Sequence, residues 1–170
     1  MLQQRFLTGG FTYIGLLLLV AIMNVTLAMA ATLWSFALQR EKERELLFAG
    51  NQFRQAIGLY YEQTPGTVKH YPHKLKDLIR DDRYLNVRRY LRQIYQDPMT
   101  GKTDWQLIPA PDGGIMGVYS NSDKSAVKTR NFRYIDRMLE GKTRYAEWEF
   151  AYLPQPEHRA SPSTLPETGQ

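Results

Sequence analysis

Cysteine is absent from the 170 residues. That excludes a disulfide framework, a thiol nucleophile and any Cys-ligated zinc or iron–sulfur site. Histidine is scarce: the chain has three, at His70, His73 and His158, too few for a His-rich metal centre. His70 and His73 flank Tyr71-Pro72 among Lys69, Lys74 and Lys76, with no paired carboxylates beside them, and read as surface histidines near a helix start. Gly9-Gly10 and Gly113-Gly114 match no phosphate-binding pattern. No catalytic set emerges, so the chain reads as a non-enzyme without a cofactor. Its length suits one domain of ordinary size, with room for an appended element.

Charge is also missing, but only locally. The formal net charge is +5, yet no charged side chain occurs between Arg5 and Arg40. The stretch 11–38 reads FTYIGLLLLVAIMNVTLAMAATLWSFAL, with Thr, Tyr, Asn and Ser as its polar interruptions. A bilayer core needs about 20 mainly apolar residues in helical form, so a membrane-spanning helix is expected. Asn24, Thr26, Thr32 and Ser35 are tolerable there, because a helix satisfies its own backbone and side chains can bond back to it. The flanking charges orient it only weakly; a short leader on the inside puts the C-terminal bulk outside. The competing reading is a secretory signal cleaved after Ala28-Met29-Ala30. Against it, the apolar run exceeds the usual core of such signals.

Residues 40–45 read REKERE and offer opposite charges three apart, as in Arg40/Glu43, Glu41/Arg44 and Lys42/Glu45, a solvated helical face. Leu46, Ala49, Phe53, Ile57 and Tyr60 then form an apolar stripe at helical spacing. One helix over about residues 12–62 is therefore predicted, roughly 75 Å long at 1.5 Å per residue. Gly50 and Gly58 each weaken a helix interior, so bending is expected there. Thr64-Pro65-Gly66 ends the helix. Beyond it a short second helix is expected over 71–81 and another turn over 86–94. The period then changes to two. Residues 104–108 and 115–120 read as strands joined by the turn Pro109–Gly114, an antiparallel hairpin. Trp148, Phe150 and Tyr152, alternating with more polar neighbours, suggest a third half-buried strand.

The leader MLQQRFLTGG, ending in Gly9-Gly10 before Phe11-Thr12-Tyr13-Ile14, resembles the class III leader of type IV pilins and type II secretion pseudopilins. Further on, Tyr71-Pro72 with Leu75 and Leu78, Gln96-Asp97-Pro98, Gly101 with Trp105-Gln106-Leu107, and Gly117-Val118-Tyr119-Ser120 resemble the soluble part of the G-type (major) pseudopilin. The two together cover roughly residues 9–123. The fold implied is α+β and pilin-like: a leader over 1–10, the transmembrane half of one long helix over 11–38, its periplasmic half over 39–62, a globular domain with a short antiparallel sheet over 63–153, and a Pro-rich flexible tail over 154–170. The resemblance implies cleavage by a prepilin peptidase between Gly10 and Phe11, then methylation of Phe11. For that step Gly10 is expected to provide extended, accessible backbone ahead of the helix. Other pseudopilin subunits and an inner-membrane secretion assembly platform are the further partners implied, with the anchor in the inner membrane and the head in the periplasm.

Two departures stand out. The family usually carries Glu at the fifth mature residue, where this chain has Gly15; Gly15 marks either a different assembly role or a small residue at a helix–helix contact. In the family, the loop after the last matching strand binds calcium. Here only Ser120 and Asp123 fall in corresponding places, followed by Lys124, Lys128 and Arg130 without an acid. Calcium takes six to eight oxygens, several from carboxylates, so no metal is expected, and packing under a strand at 145–152 is expected to pin the loop instead.

Within 74–92, Lys74, Lys76, Arg80, Arg83, Arg88, Arg89 and Arg92 outnumber Asp77, Asp81 and Asp82. Most simply this is a solvated face. The competing functional reading uses Lys74, Lys76, Arg80, Arg88, Arg89 and Arg92 as an anion-binding surface. Tyr84 and Tyr90 would then be available to stack on bases, as in a DNA-uptake minor pilin or a membrane-anchored periplasmic binding protein. Nucleic acid is not the partner favoured.

Overall fold

The computed structural model describes residues 8–154, the side chains at 8–12, 28 and 30–33 excepted. The leader residues 1–7 and the tail from 155 onward therefore lie outside the described residues. The architecture is α+β. Helix α1 (Thr8–Glu62, 55 residues) is followed by an antiparallel sheet of three strands, β1 (Gln106–Pro109), β2 (Ile115–Tyr119) and β3 (Phe150–Ala151), in the order β1-β2-β3. Three short 3-10 turns, Leu75–Leu78, Tyr134–Leu139 and Tyr145–Glu147, complete the regular structure.

Helix α1 changes character along its length. From Tyr13 to Leu27 the described side chains are exposed and mostly apolar. Asn24 donates to the Val20 carbonyl at 2.9 Å and Thr26 to the Met23 carbonyl at 2.8 Å, so both return their polar groups to the helix. Among the described residues no helix is long and apolar enough to cross a membrane. Past Leu38 one face is covered. Leu46, Ala49, Phe53, Ile57 and Tyr60 are all buried, and the stripe packs on β2 and β3, with Leu78, Trp105, Val118, Trp148 and Phe150 in the same core.

Gly9 and Gly10 are helical rather than extended as expected. An already nucleated helix gains one hydrogen bond for each residue added, which outweighs the preference of two glycines. Nor do Gly50 and Gly58 interrupt α1. They are where β3 approaches: a Cβ on Gly50 would lie 2.3 Å from the Phe150 ring, and one on Gly58 2.7 Å from the Tyr152 ring.

The expected helices after α1 shrink or vanish. Over 71–81 only Leu75–Leu78 turns, with the Asp77 carboxylate accepting from the Lys74 amide. The Leu78 carbonyl, which would continue the turn, instead accepts from Tyr90 and Leu91 at 2.9 Å each. Residues 86–94 are not helical, because Arg88 pairs with Asp81 in an antiparallel bridge. Segment 78–91 is thus a folded-back loop in which tertiary pairing has replaced local helix propensity.

Strand β1 starts at Gln106 rather than 104, since Trp105 turns inward and its indole donates to the Tyr95 carbonyl at 2.8 Å. Pro109 is admissible because β1 is an edge strand, and the register shifts between Ile108 and Pro109. The third strand is only Phe150–Ala151, paired with Val118 and Gly117. Trp148 and Phe150 are both fully buried as alternation required, but Tyr145–Glu147 forms a 3-10 turn.

The glycine contacts make a graded prediction. Gly50→Ala should destabilise the full-length chain by about 1–3 kcal/mol, as overpacking of a filled core does, read as a lower midpoint in thermal unfolding. Gly58→Ala should cost less, because Tyr152 is only partly buried and can shift while the helix gains propensity. A Gly50→Ala midpoint at or above wild type would contradict the packing described.

Candidate functional site

A row of polar residues lies along one side of α1, where segment 124–136 runs beside the helix in the same direction. At its start, Gln39 donates to the Ser125 carbonyl at 3.1 Å and to the Tyr145 hydroxyl at 3.0 Å. One turn on, Glu43 is buried, only 3% exposed. Its Oε1 accepts from the Val127 amide (2.7 Å), the Lys128 amide (3.0 Å) and the Tyr145 hydroxyl (3.0 Å). Glu43 therefore departs from the expected solvated pairing with Arg40; of the pairs expected in that stretch, Arg44–Glu41 forms at 3.0 Å on the exposed side. Three turns further, Arg54 and Asp136 form a buried ion pair at 3.0 Å. The Arg54 guanidinium also reaches the Asn51 side-chain oxygen and the Ile135 carbonyl, while Asn51 donates to both Asp136 oxygens. Arg54 Nε and the second terminal nitrogen are buried without a hydrogen-bond partner among the described residues, and the Phe150 ring lies 5.5 Å away.

This clamp is one pin for the loop after β2. The start of the expected segment 145–152 does hold the loop, through bonds from the Tyr145 amide to the Lys124 carbonyl and from the Ala146 amide to the Ser122 carbonyl, beside an Ala126-to-Thr143 bond and a Ser125–Arg144 bridge; the helix carboxylate adds its hold on two loop amides. Amides bonded to a carboxylate are charge-assisted and strong. The candidate calcium residues do not meet. Ser120 is buried and donates to Asp97 at 2.6 Å; Asp123 is exposed, 3.6 Å from Arg144. Asp97 also accepts from the Met99 amide at 2.8 Å, so it ties the turn after 97 to the end of β2. Among the described residues no three His, Asp or Glu are grouped as metal ligands.

Two cations of the basic stretch, Arg83 and Arg88, are used at the end of α1. The helix has no basic residue in its own last turn, and its terminal carbonyls are capped from a distance. Arg83 donates to the Tyr60 carbonyl and the Thr64 hydroxyl, lies 3.5 Å from the Tyr60 ring and forks onto both oxygens of Asp81 at 2.8 Å. Lys69 donates to the Glu62 carbonyl at 2.6 Å. Arg80 pairs with Asp82 at 2.9 Å, and Arg88 bonds Gln63 and stacks on Tyr84. Tyr84 bonds the Gln63 carbonyl, while Tyr90 bonds Asp81 and packs edge-on to Tyr60. Neither tyrosine is free to stack on a base. Lys74, Lys76, Arg89 and Arg92 remain exposed and show no ion pair among the described residues.

Gly10 and Phe11 lie in the first turn of α1. Gly15 faces open space, with nothing within 4 Å of a built Cβ. His70 is exposed and 3.8 Å from Asp112.

Burial works against the Asp81 charge, but the Arg83 bonds and the Tyr90 hydroxyl outweigh it and hold its carboxyl below the usual range. Tyr90, by burial and by its bond to Asp81, is pushed up to about 12. Burial and Glu62 likewise push Tyr152 up to about 12.

Sequence reasoning missed Glu43, Arg54, Asp97 and Asp136. A signal existed for the first: Glu43 sits three residues before Leu46 on the same face as the apolar stripe, where an acid faces the core rather than water. Asp136 had none, because its partner lies 82 positions away.

In comparisons with known proteins, no family model matches the chain, and neither a curated protein nor a solved structure does.

Glu43→Ala should remove the shared acceptor of three donors, costing about 3 kcal/mol, and hydrogen exchange should rise at Val127 and Lys128 above that at Val118. Unchanged protection at those two amides would exclude the clamp. The pH response follows from Asp81. Its depressed folded pKa means the unfolded chain binds more protons below about pH 4. Its stabilisation is therefore complete above the ordinary Asp range and lost as pH falls through the lower folded value. Asp81→Asn should flatten that acid limb of the stability curve.

Proposed function

We propose that this chain is a structural subunit of a periplasmic pseudopilus, or of a related type IV pilus-like filament, supporting type II protein secretion rather than catalysing a reaction. The observation that carries the reading is α1 itself. A single 55-residue helix leaves apolar side chains exposed from Tyr13 to Leu27 and, without a break, becomes the spine of an α+β head. Exposed apolar surface of that extent needs lipid or a partner. An unbroken rod joining it to the head suits subunits bundled around a common axis.

In this reading residues 11–38 anchor the chain in the inner membrane with the head in the periplasm. A prepilin peptidase cuts between Gly10 and Phe11, Phe11 is methylated, and other pseudopilins and an inner-membrane assembly platform are the partners. Thr8–Gly10 being helical implies that the first turn unwinds for the peptidase, which two glycines make inexpensive. Gly15, facing open space, leaves the helix surface smooth where a Glu is usual, as suits an accessory or tip position. The pilin-like assignment rests on the leader, the head motifs and this helix. The anion-binding alternative loses its base-stacking part, because Tyr84 and Tyr90 are held within the chain, while Lys74, Lys76, Arg89 and Arg92 stay exposed.

Mass spectrometry of the membrane-extracted protein should find Phe11 at the N-terminus, carrying one methyl group, and Gly10→Asp should leave the uncut precursor. A mature start at Ala31, or an intact Met1 in cells with an active peptidase, would overturn the proposal. Salt-sensitive DNA retention abolished by reversing Arg89 and Arg92 would favour the binding-protein reading instead.

A further inference from the structure

The clamp at Glu43 has a consequence for the surface beside it. By bonding the Val127 and Lys128 amides, Glu43 holds the loop cations against the start of the head. There a pocket of about 480 Å³ is lined by Arg40, Arg44, Leu47, Lys128, Arg130 and Asn131 together with Glu43. Arg40 and Arg44 are one turn apart on the same face as Leu47. At 1.5 Å per residue they stand about 3 and 9 Å along the axis beyond Leu38, the last residue of the apolar run. Of the acids nearby, Glu43 points its oxygen into the loop amides and Glu41 is paired with Arg44. Arg40 and Arg130 show no ion pair among the described residues. Lys128 covers the Phe132 ring, its nitrogen 4.9 Å from the ring centre. The pocket is therefore a cationic cup at the lipid-facing end of the head.

We infer that this pocket binds the phosphate of an anionic phospholipid in the leaflet next to the head, fixing the height and rotation of the head over the bilayer. The inference rests on the membrane-anchored reading above. Cations within a Debye length of an anionic surface gain attraction from the whole leaflet, and arginine forks suit phosphate oxygens. A cluster contributed by both the helix and a loop clamped to it would keep one orientation relative to lipid. A lone flexible cation would not. Lys74, Lys76 and Arg92 follow the far end of α1 and serve as the comparison set.

The test reconstitutes the full chain in vesicles of phosphatidylcholine alone and of phosphatidylcholine with phosphatidylglycerol, and counts lipids retained by native mass spectrometry. Wild type should retain phosphatidylglycerol with about tenfold preference. The Arg40→Gln, Lys128→Gln, Arg130→Gln triple variant should lose it, and the Lys74→Gln, Lys76→Gln, Arg92→Gln variant should keep it. Insertion without lipid preference, or a preference that survives the first variant, overturns the inference alone. Full displacement of the lipid by excess inorganic phosphate would mean a free-anion site and also overturns it, as would DNA retention through the same residues without lipid preference. A chain that enters neither vesicle overturns the membrane reading as well.

Discussion

Helix α1 lets β3 and the residue after it come within van der Waals reach of its backbone, and that approach exists because positions 50 and 58 have no Cβ. The Phe150 ring occupies the space over Gly50, and Tyr152 that over Gly58. With β3 seated there, Val118 of the central strand is brought to full burial. Gly117 opposite Ala151 lets β2 and β3 close on each other, since a Cβ at 117 would lie 2.6 Å from the Ala151 backbone. The helix costs something in propensity at both glycines, and close packing of aromatic rings offsets it.

The sheet is small, so much of the head consists of loops, and loops need their backbone groups satisfied. Buried or half-buried charged side chains do this. Glu43 receives the loop after β2, Asp97 joins its own turn to Ser120, and Arg83 caps the end of α1 while neutralising Asp81. The Arg54–Asp136 pair holds the segment that follows Glu43's loop. Such pairs are weak evidence for net stability but strongly penalise the loss of one partner. Their role here is to select one loop arrangement among many.

Between Glu43 and Asp136 the loop lies parallel to the helix and leaves an open groove of about 940 Å³ on one side, lined by Leu47, Phe48, Leu59, Phe132 and Tyr152 among others. The charged end of that surface meets the start of the head, and the apolar side chains of α1 stand exposed beyond it. A rod with exposed apolar residues at one end and a clamped, cation-rimmed head at the other has a definite polarity.

The amino-acid sequence by itself determined the features whose causes are local. The helix, the stripe Leu46, Ala49, Phe53, Ile57 and Tyr60, the stop at Thr64-Pro65-Gly66 and the β1–β2 hairpin all follow from periodicity and turn chemistry. The α+β class follows from them. Tertiary structure alone decided the rest. Whether 71–94 coils into helices depended on the Leu78 carbonyl finding Tyr90 and Leu91. Whether Gly50 bends the helix or admits a ring depended on Phe150, a hundred residues away in sequence. Which of six charges in 40–45 turns inward depended on the amides of Val127 and Lys128. Periodicity reports a residue's neighbours along the chain, whereas a buried charge is settled by the partner that reaches it through space.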